Sequence, residues 1–384
     1  MTPLSPGNPA ANLRRDPSAP WRHLDWVLIG ATLAVALLGV IMVYSATRST
    51  IGEPGTSSTF LVRQLVFVIL GIVLAVVASL VDYRHHQHLS VVFYLGALLL
   101  LAAVISPLGT EVNGSKSWFA LGSFQVQPAE FAKLAVILLL AVVCSNPRGG
   151  HLDVRTTLAA IVVVGLPVGL ILLQPDVGSV MVFVALALTI LVVAGAPARQ
   201  LVVLGLIGVV GVVGVFQLGV IETYQKERLT LFASPDTAAG SDAAYNAEQA
   251  ETAIGAGGLM GAGLFEGTQT KLRYVPYQHS DFIFTVVGEE LGFVGGVTLL
   301  ALYSVMAWRI WRAALLARDF FGTLLCAGVL GLLLFQVFEN MGMTMGIMPI
   351  TGIPLPFMSY GGSSTLTMFL AVGLVLNVHS RRFA

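Results

Sequence analysis

Ten stretches of this chain are apolar over the length of a helix that crosses a hydrocarbon layer, about 20 residues each, and no other feature limits the fold as strongly. They run 26–46, 60–81, 90–107, 130–145, 157–175, 178–196, 200–221, 282–308, 321–344 and 357–379, the fourth being short. Only 10% of residues are charged against 56% hydrophobic, where a soluble domain carries about a quarter charged. The expected fold class is all-α, a polytopic membrane protein of about ten transmembrane helices. Cys144 and Cys326 each fall inside an apolar run, so neither a disulfide framework nor a thiolate metal site is indicated.

The opening MTPLSPGNPAANLRRDPSAPWRHLD reads as a disordered tail, residues 1–25, ahead of one membrane domain, 26–384. The run after it is longer than a signal-peptide core and is expected to be retained. Formal net charge is zero, which argues against a nucleic-acid partner. The distribution of basic residues carries more: with the N-terminus inside, arginines from Arg14 and Arg15 to Arg381 and Arg382 fall on cytoplasmic connections. Both termini are then cytoplasmic, and one long exoplasmic loop, about 222–281, separates helices seven and eight. Its glycine-rich part, TAIGAGGLMGAGLFEGTQTKLRYVP, keeps enough apolar residues to pack back onto the bundle.

Three shorter exoplasmic connections set polar groups beside Pro or Gly: EVNGSKSWFALGSFQVQPAEFAK, QPDVGS and GIMPITGIPLPFMSYGGSS. Irregular backbone at membrane depth is tolerated where it is buried in protein or lines a wet cavity, so these loops are expected to line one cavity. They bring Lys116, Trp118, Asp176, Ser359, Tyr360, Ser363 and Ser364 forward as candidate binding residues. Glu130 and Lys133, three apart at a helix start, read as an ion pair; a functional site and a structural staple both account for it. Gln336, Glu339 and Asn340 form an i, i+3, i+4 polar stripe that must face the interior, with interhelical hydrogen bonding the plain reading.

The stretch PYQHSDFIFTVVGEELGF places Gln278, His279, Ser280 and Asp281 at the mouth of helix eight. Asp281 there suits a general base, and Ser280 or Asp281 suits a helix N-cap equally well. Glu289 and Glu290 lie two turns deeper, Glu290 opposite Asp281 on the helical wheel. One of them is expected to satisfy a buried polar group or to lie near cytoplasmic water. Cations on the exoplasmic side, among them Arg48, Lys116, Lys133, Lys226, Arg228, Lys271 and Arg273, run against the charge bias and call for an anion. A diphosphate and lipid headgroups both fit. No P-loop, dinucleotide fingerprint or zinc spacing is present.

At PITGIPLPFMSYGGSS the chain resembles the SEDS family (shape, elongation, division and sporulation), and NGSKSWFALG, QPAEFAK, QPDVGS, AIGAGGLMGAGLFEGTQTKLRYVPYQHSDFIFTVVGEELGF and QVFENMGMTMGIMPITG agree with it. TGIPLPFMSYGGSS looks more like the elongation branch than the division branch. Lys116 stands where relatives often carry Arg, a departure that weakens a bidentate grip on phosphate. The resemblance implies a peptidoglycan glycosyltransferase of the bacterial cytoplasmic membrane. It would polymerise lipid II, with a class B penicillin-binding protein, other elongation-complex proteins and membrane lipids as partners. It puts the essential acid on Asp281; His279, whose ordinary pKa lies nearer neutrality, ranks second, and a divalent cation, Mg or Mn, with ligands unknown, is the expected cofactor because metals commonly stabilise a leaving diphosphate. Two rival functions are open to a chain of this hydropathy, a lipid II flippase or transporter and a noncatalytic cell-wall scaffold.

Overall fold

The computed structural model describes residues 23–48, 56–112, 115–122, 124–145, 152–217 and 242–382. Residues 1–22 of the proposed disordered tail, Lys226, Arg228 and much of the polar part of the long loop lie outside them; the last residue assigned to that tail, Asp25, instead caps α1. A helix lies over each of the ten apolar stretches: α1 (Trp26–Thr47), α2 (Thr56–Leu80), α3 (Tyr83–Ile105), α4 (Pro128–Cys144), α5 (Val154–Leu172), α6 (Val177–Val193), α7 (Ala198–Gln217), α10 (Ile283–Leu315), α11 (Phe320–Thr344) and α12 (Gly362–Ser380). Two more, α8 (Asp242–Ala256) and α9 (Thr268–Leu272), belong to the long loop. Among the described residues seven helices are long and apolar enough to cross a membrane, and α6 is a shorter apolar helix. The protein is therefore a mostly helical, multi-pass membrane protein.

Helix α4 is apolar nearly all round and buried nearly all round, the pattern of a core helix. It packs against α3, α5, α6, α11 and α12. Small residues set the closest helix approaches: a Cβ on Gly373 of α12 would come 2.5 Å from the Ala75 carbonyl oxygen of α2. That close approach is what drives helix association where apolar burial gives no advantage over lipid.

Two features depart from the sequence reading. The connection after α3 is not irregular: it forms β1 (Thr110–Val112), β2 (Ser115–Leu121) and β3 (Phe124–Val126), an antiparallel sheet in the order β1-β2-β3 with Phe119 opposite Val126. And α10 is broken at Gly292, which has φ 64° and ψ −161°. The break releases backbone groups that lipid could not satisfy. The glycine-rich loop satisfies them: Ala262 and Gly263 N–H donate to the Glu289 and Glu290 carbonyls (2.9 and 3.1 Å), while Phe293 and Val294 N–H donate to Gly258 and Leu259 (2.9 and 3.1 Å). A Cβ on Gly292 would sit 2.3 Å from the Gly261 nitrogen, so glycine is required by conformation and by contact alike.

Candidate active site

At the end of the bundle that holds the sheet and the broken helix lies a cavity of about 580 Å³, within the range of ligand sites. One wall is the face of α2 that carries Phe60, Arg63 and Phe67 at i, i+3 and i+7. Facing it are the sheet with Ser117 and Trp118, the start of α6 with Asp176, the segment Tyr277–Asp281, the 349–354 loop, and Tyr360 to Ser364 before and within α12.

The segment carrying Asp281 is tied down residue by residue. The Gln278 amide, buried, donates to the Ala46 carbonyl at the end of α1 (2.8 Å) and to the Thr270 carbonyl of α9 (2.9 Å). The His279 carbonyl accepts from Tyr360 N–H (2.9 Å), the Ser280 carbonyl from Ser359 Oγ (2.6 Å), and the Asp281 carbonyl from Asn340 Nδ2 (2.7 Å). The N-cap of α10 is Phe282, and no side chain caps that helix. The helix-cap reading of Ser280 and Asp281 is corrected accordingly: Asp281 lines the cavity instead.

His279 packs its ring edge-on against Phe60 (5.0 Å between centroids) and tilted against Tyr360 (5.7 Å). Burial, with Arg273 adding repulsion, pushes its pKa down to about 4, so the imidazole is neutral at physiological pH. Asp176 caps α6 through Ser179 N–H (2.9 Å) and Ser179 Oγ (2.7 Å) and accepts from Gln127 Nε2 (3.2 Å). Below it a chamber of about 40 Å³ shares Gln127, Asp176 and Thr351 with the main cavity. Its wall holds the Glu130–Lys133 pair, 2.6 Å apart and buried, with Glu130 Oε2 otherwise unpartnered.

Of the residues singled out from sequence, Trp118, Asp176, His279, Ser280, Asp281, Tyr360, Ser363 and Ser364 line the main cavity. Glu130 and Lys133 lie in the chamber under it, and Gln278 and Ser359 brace the acid's segment. The remaining cations do not converge there. Arg48 lies over the Phe265 ring (5.7 Å), Lys271 pairs with Glu266 (2.7 Å), and half-buried Lys116 is outside the lining. The cation in the cavity wall is Arg63, which no described carboxylate pairs within salt-bridge distance. Its signal was legible as an arginine inside an apolar run, on the face shared with two phenylalanines.

Glu289 and Glu290 are both buried, so neither is wet at the far side of the membrane. The Glu289 carboxylate accepts from Gln269 N–H (2.7 Å), Thr270 N–H (2.9 Å) and Thr270 Oγ1 (2.7 Å), capping α9 from another helix. Glu290 accepts from Phe265 N–H (3.1 Å) and from the Ser45 hydroxyl. Among the described residues no three His, Cys, Asp or Glu side chains converge as a metal cage.

The family model for FtsW, RodA and SpoVE, described as cell cycle protein, matches residues 25–383. Stage V sporulation protein E of Bacillus subtilis is 38% identical over 358 residues, covering 92% of this chain and 96% of the relative. Peptidoglycan glycosyltransferase RodA of Treponema pallidum is 32% identical over 428 residues, covering 93% and 98%. A solved chain from a peptidoglycan synthase complex that coordinates polymerization and crosslinking superposes with a TM-score of 0.79 at 33% identity. That match covers 94% of this chain and 98% of the solved one.

Proposed function

The chain belongs to the FtsW, RodA and SpoVE family, and from that membership and the cavity we propose that it is a peptidoglycan glycosyltransferase that polymerises lipid II. The observation that carries the reading is Asp281: an acid in the cavity wall, on a segment fastened at four consecutive residues, by the side chain of Gln278 and by the backbone carbonyls of His279, Ser280 and Asp281. Asp281 takes the proton from the 4-hydroxyl of the acceptor GlcNAc. That oxygen bonds to the anomeric carbon of the donor MurNAc as the bond to undecaprenyl diphosphate breaks. A diphosphate leaves as an anion and needs no acid to protonate it. One well-placed base and positive charge at the leaving group are sufficient.

Arg63 is the cation in the wall for that charge. Its planar fork suits phosphate oxygens, and its place on a membrane helix without a described carboxylate partner is costly unless an anionic ligand arrives. His279, a weak base at a pKa of about 4, shapes the acceptor side and ranks behind Asp281 as proton acceptor. The described residues do not build a metal cage; a divalent cation, Mg or Mn, is proposed to come in with the diphosphate, and no step is assigned to it. The elongation role rests on TGIPLPFMSYGGSS. The partner is proposed to be a class B penicillin-binding protein, and both chain ends are proposed to be cytoplasmic, with the cavity opening outside.

The test is glycan polymerisation from purified lipid II with divalent cation, comparing wild type with Asp281→Asn. Each is copurified with the partner, its transpeptidase blocked. Polymer from the wild type alone is expected. Equal polymer from both would move the base to another residue. Lipid movement across vesicles without polymer would favour a transporter, and full partner assembly with neither activity a scaffold.

A further inference from the structure

We propose that Asn340 is a positioning residue for the reaction, holding Asp281 at a fixed distance from the neighbouring 349–354 loop of the cavity lining; this rests on the reading of Asp281 as the base. Asn340 lies on α11, has no exposed surface, and its amide nitrogen makes two hydrogen bonds: to the Asp281 carbonyl (2.7 Å) and to the Ile353 carbonyl (2.8 Å). The two acceptors belong to two separate stretches of the lining. Asp281 ends the segment 277–281, and Ile353 lies in the 349–354 loop whose Pro349, Thr351, Gly352 and Pro354 line the cavity. An amide presents its two N–H bonds in one plane at a fixed angle, so a single side chain sets the separation of two stretches of loop backbone.

The arrangement has support on the same turn of α11. Glu339 Oε1 accepts from Thr351 Oγ1 (2.9 Å), so adjacent residues of one helix hold the 349–354 loop at two points. Asn340 Oδ1 is buried without a partner, a desolvation cost that a purely packing residue would not incur. Leucine could fill the same space without the orphan. What leucine or aspartate cannot supply is the pair of donors. The other anchors of the acid's segment are the Gln278 side chain and the bonds from Tyr360 and Ser359 to the carbonyls of residues 279 and 280; Asn340 holds the carbonyl of Asp281 itself.

The experiment uses the same copurified complex and lipid II polymerisation, with kcat and KM measured separately for Asn340→Asp, Asn340→Leu, Asn340→His and Gln336→Leu. Gln336 lies one turn earlier on the stripe, is as deeply buried, and has neither side-chain atom bonded. Loss of the two donors is expected to lower kcat roughly a hundredfold, the scale of a misplacement near 1 Å, with KM nearly unchanged. Asn340→His, which keeps one N–H at similar reach, should recover part of the loss, and Gln336→Leu should keep wild-type kcat. Asn340→Leu replaces Asn340→Asp as the reading wherever the latter does not copurify with the partner. Wild-type kcat in the donor-less variants while Asp281→Asn is inactive would overturn the positioning role alone. So would equal losses in the His and Leu variants, or a Gln336→Leu loss as large as theirs. Activity in Asp281→Asn would instead remove the base assignment itself.

Discussion

The two ends of the helix bundle are built by opposite rules. At the end away from the cavity, helices α1, α3, α5 and α11 each begin on an aspartate that caps them: Asp25 on Leu28 N–H, Asp82 on Arg84, Asp153 on Thr156 and Asp319 on Gly322. The same acids then bind cations or hydroxyls, Asp25 with Arg309 (2.7 Å), Asp82 with Arg381 (3.3 Å), and Asp319 with the Tyr83 hydroxyl (2.6 Å). At the cavity end Asp176 caps α6, but α4, α10 and α12 begin with no side-chain cap. Five non-glycine residues there, Pro175, Phe265, Arg273, Tyr277 and Phe357, hold positive φ, at a cost of order 1–3 kcal/mol each. Closed local bonding marks the end that only has to hold together. Open helix starts and strained loops mark the end proposed as the site, where anions gain from uncapped helix N-termini.

That contrast is sharpest for two arginines. Arg63→Gln is expected to cut the polymerase rate by about two orders of magnitude, as loss of a charge clamp does, with little change in unfolding temperature because Arg63 is half-buried and pairs with no described carboxylate. Arg309→Gln strands Asp25, which is 2% exposed, and should cost about 3–5 kcal/mol of stability while leaving the rate per folded molecule intact. Thermal unfolding in detergent and initial polymerisation rates measure both. A large rate loss in Arg309→Gln would break the division between the ends.

A smaller effect separates two buried polar anchors. Glu289→Leu leaves two N–H groups and a hydroxyl without an acceptor, a loss on the order of 3 kcal/mol or more. It also loosens α9, on whose Thr270 carbonyl Gln278 depends, so the rate should fall by about tenfold or more. Asn377→Leu, at the other end, releases the Ala78 and Ser79 carbonyls (2.7 and 3.0 Å) and the Tyr83 N–H (3.1 Å). It should cost about 1–3 kcal/mol and no activity. Equal rate losses in the two variants would mean that Glu289 acts on stability only.

Much of this was legible because membrane helices announce themselves by length, and because an acid or base inside such a helix must be explained. The Glu130–Lys133 pair and the buried stripe of Gln336, Glu339 and Asn340 followed from spacing alone. The break at Gly292 did not, since a run of apolar residues with one glycine has the same hydropathy whether the helix continues or turns out. The sheet was missed for a related reason: two of its three strands have three residues, which leaves too short an alternation to read. Arg63 is one arginine in an apolar run, which spacing alone does not set apart from the other cations near the membrane edge. Sequence gives the side of the membrane, whereas convergence on a cavity depends on which helix face carries the residue and which loops fold over it.

The smallest expected effect concerns His279, at the junction of the aromatic wall and the acid. Its imidazole is held below its ordinary value of 6.5, at about 4, by burial first and by Arg273 second. Between those values the unfolded chain binds a proton that the folded one refuses, so stability rises with pH through this window. The contribution is present in full above about 6.5 and is lost as pH falls towards 4. In detergent, the unfolding temperature of the wild type should therefore drop by a few degrees more than that of His279→Asn between pH 6.5 and 4. Parallel curves would mean that water reaches the ring and that Phe60 and Tyr360 do not seal it. The aromatic wall would then be wet, and the cavity end would differ from the other end by openness alone, without the dry acceptor side that a neutral histidine beside Asp281 requires.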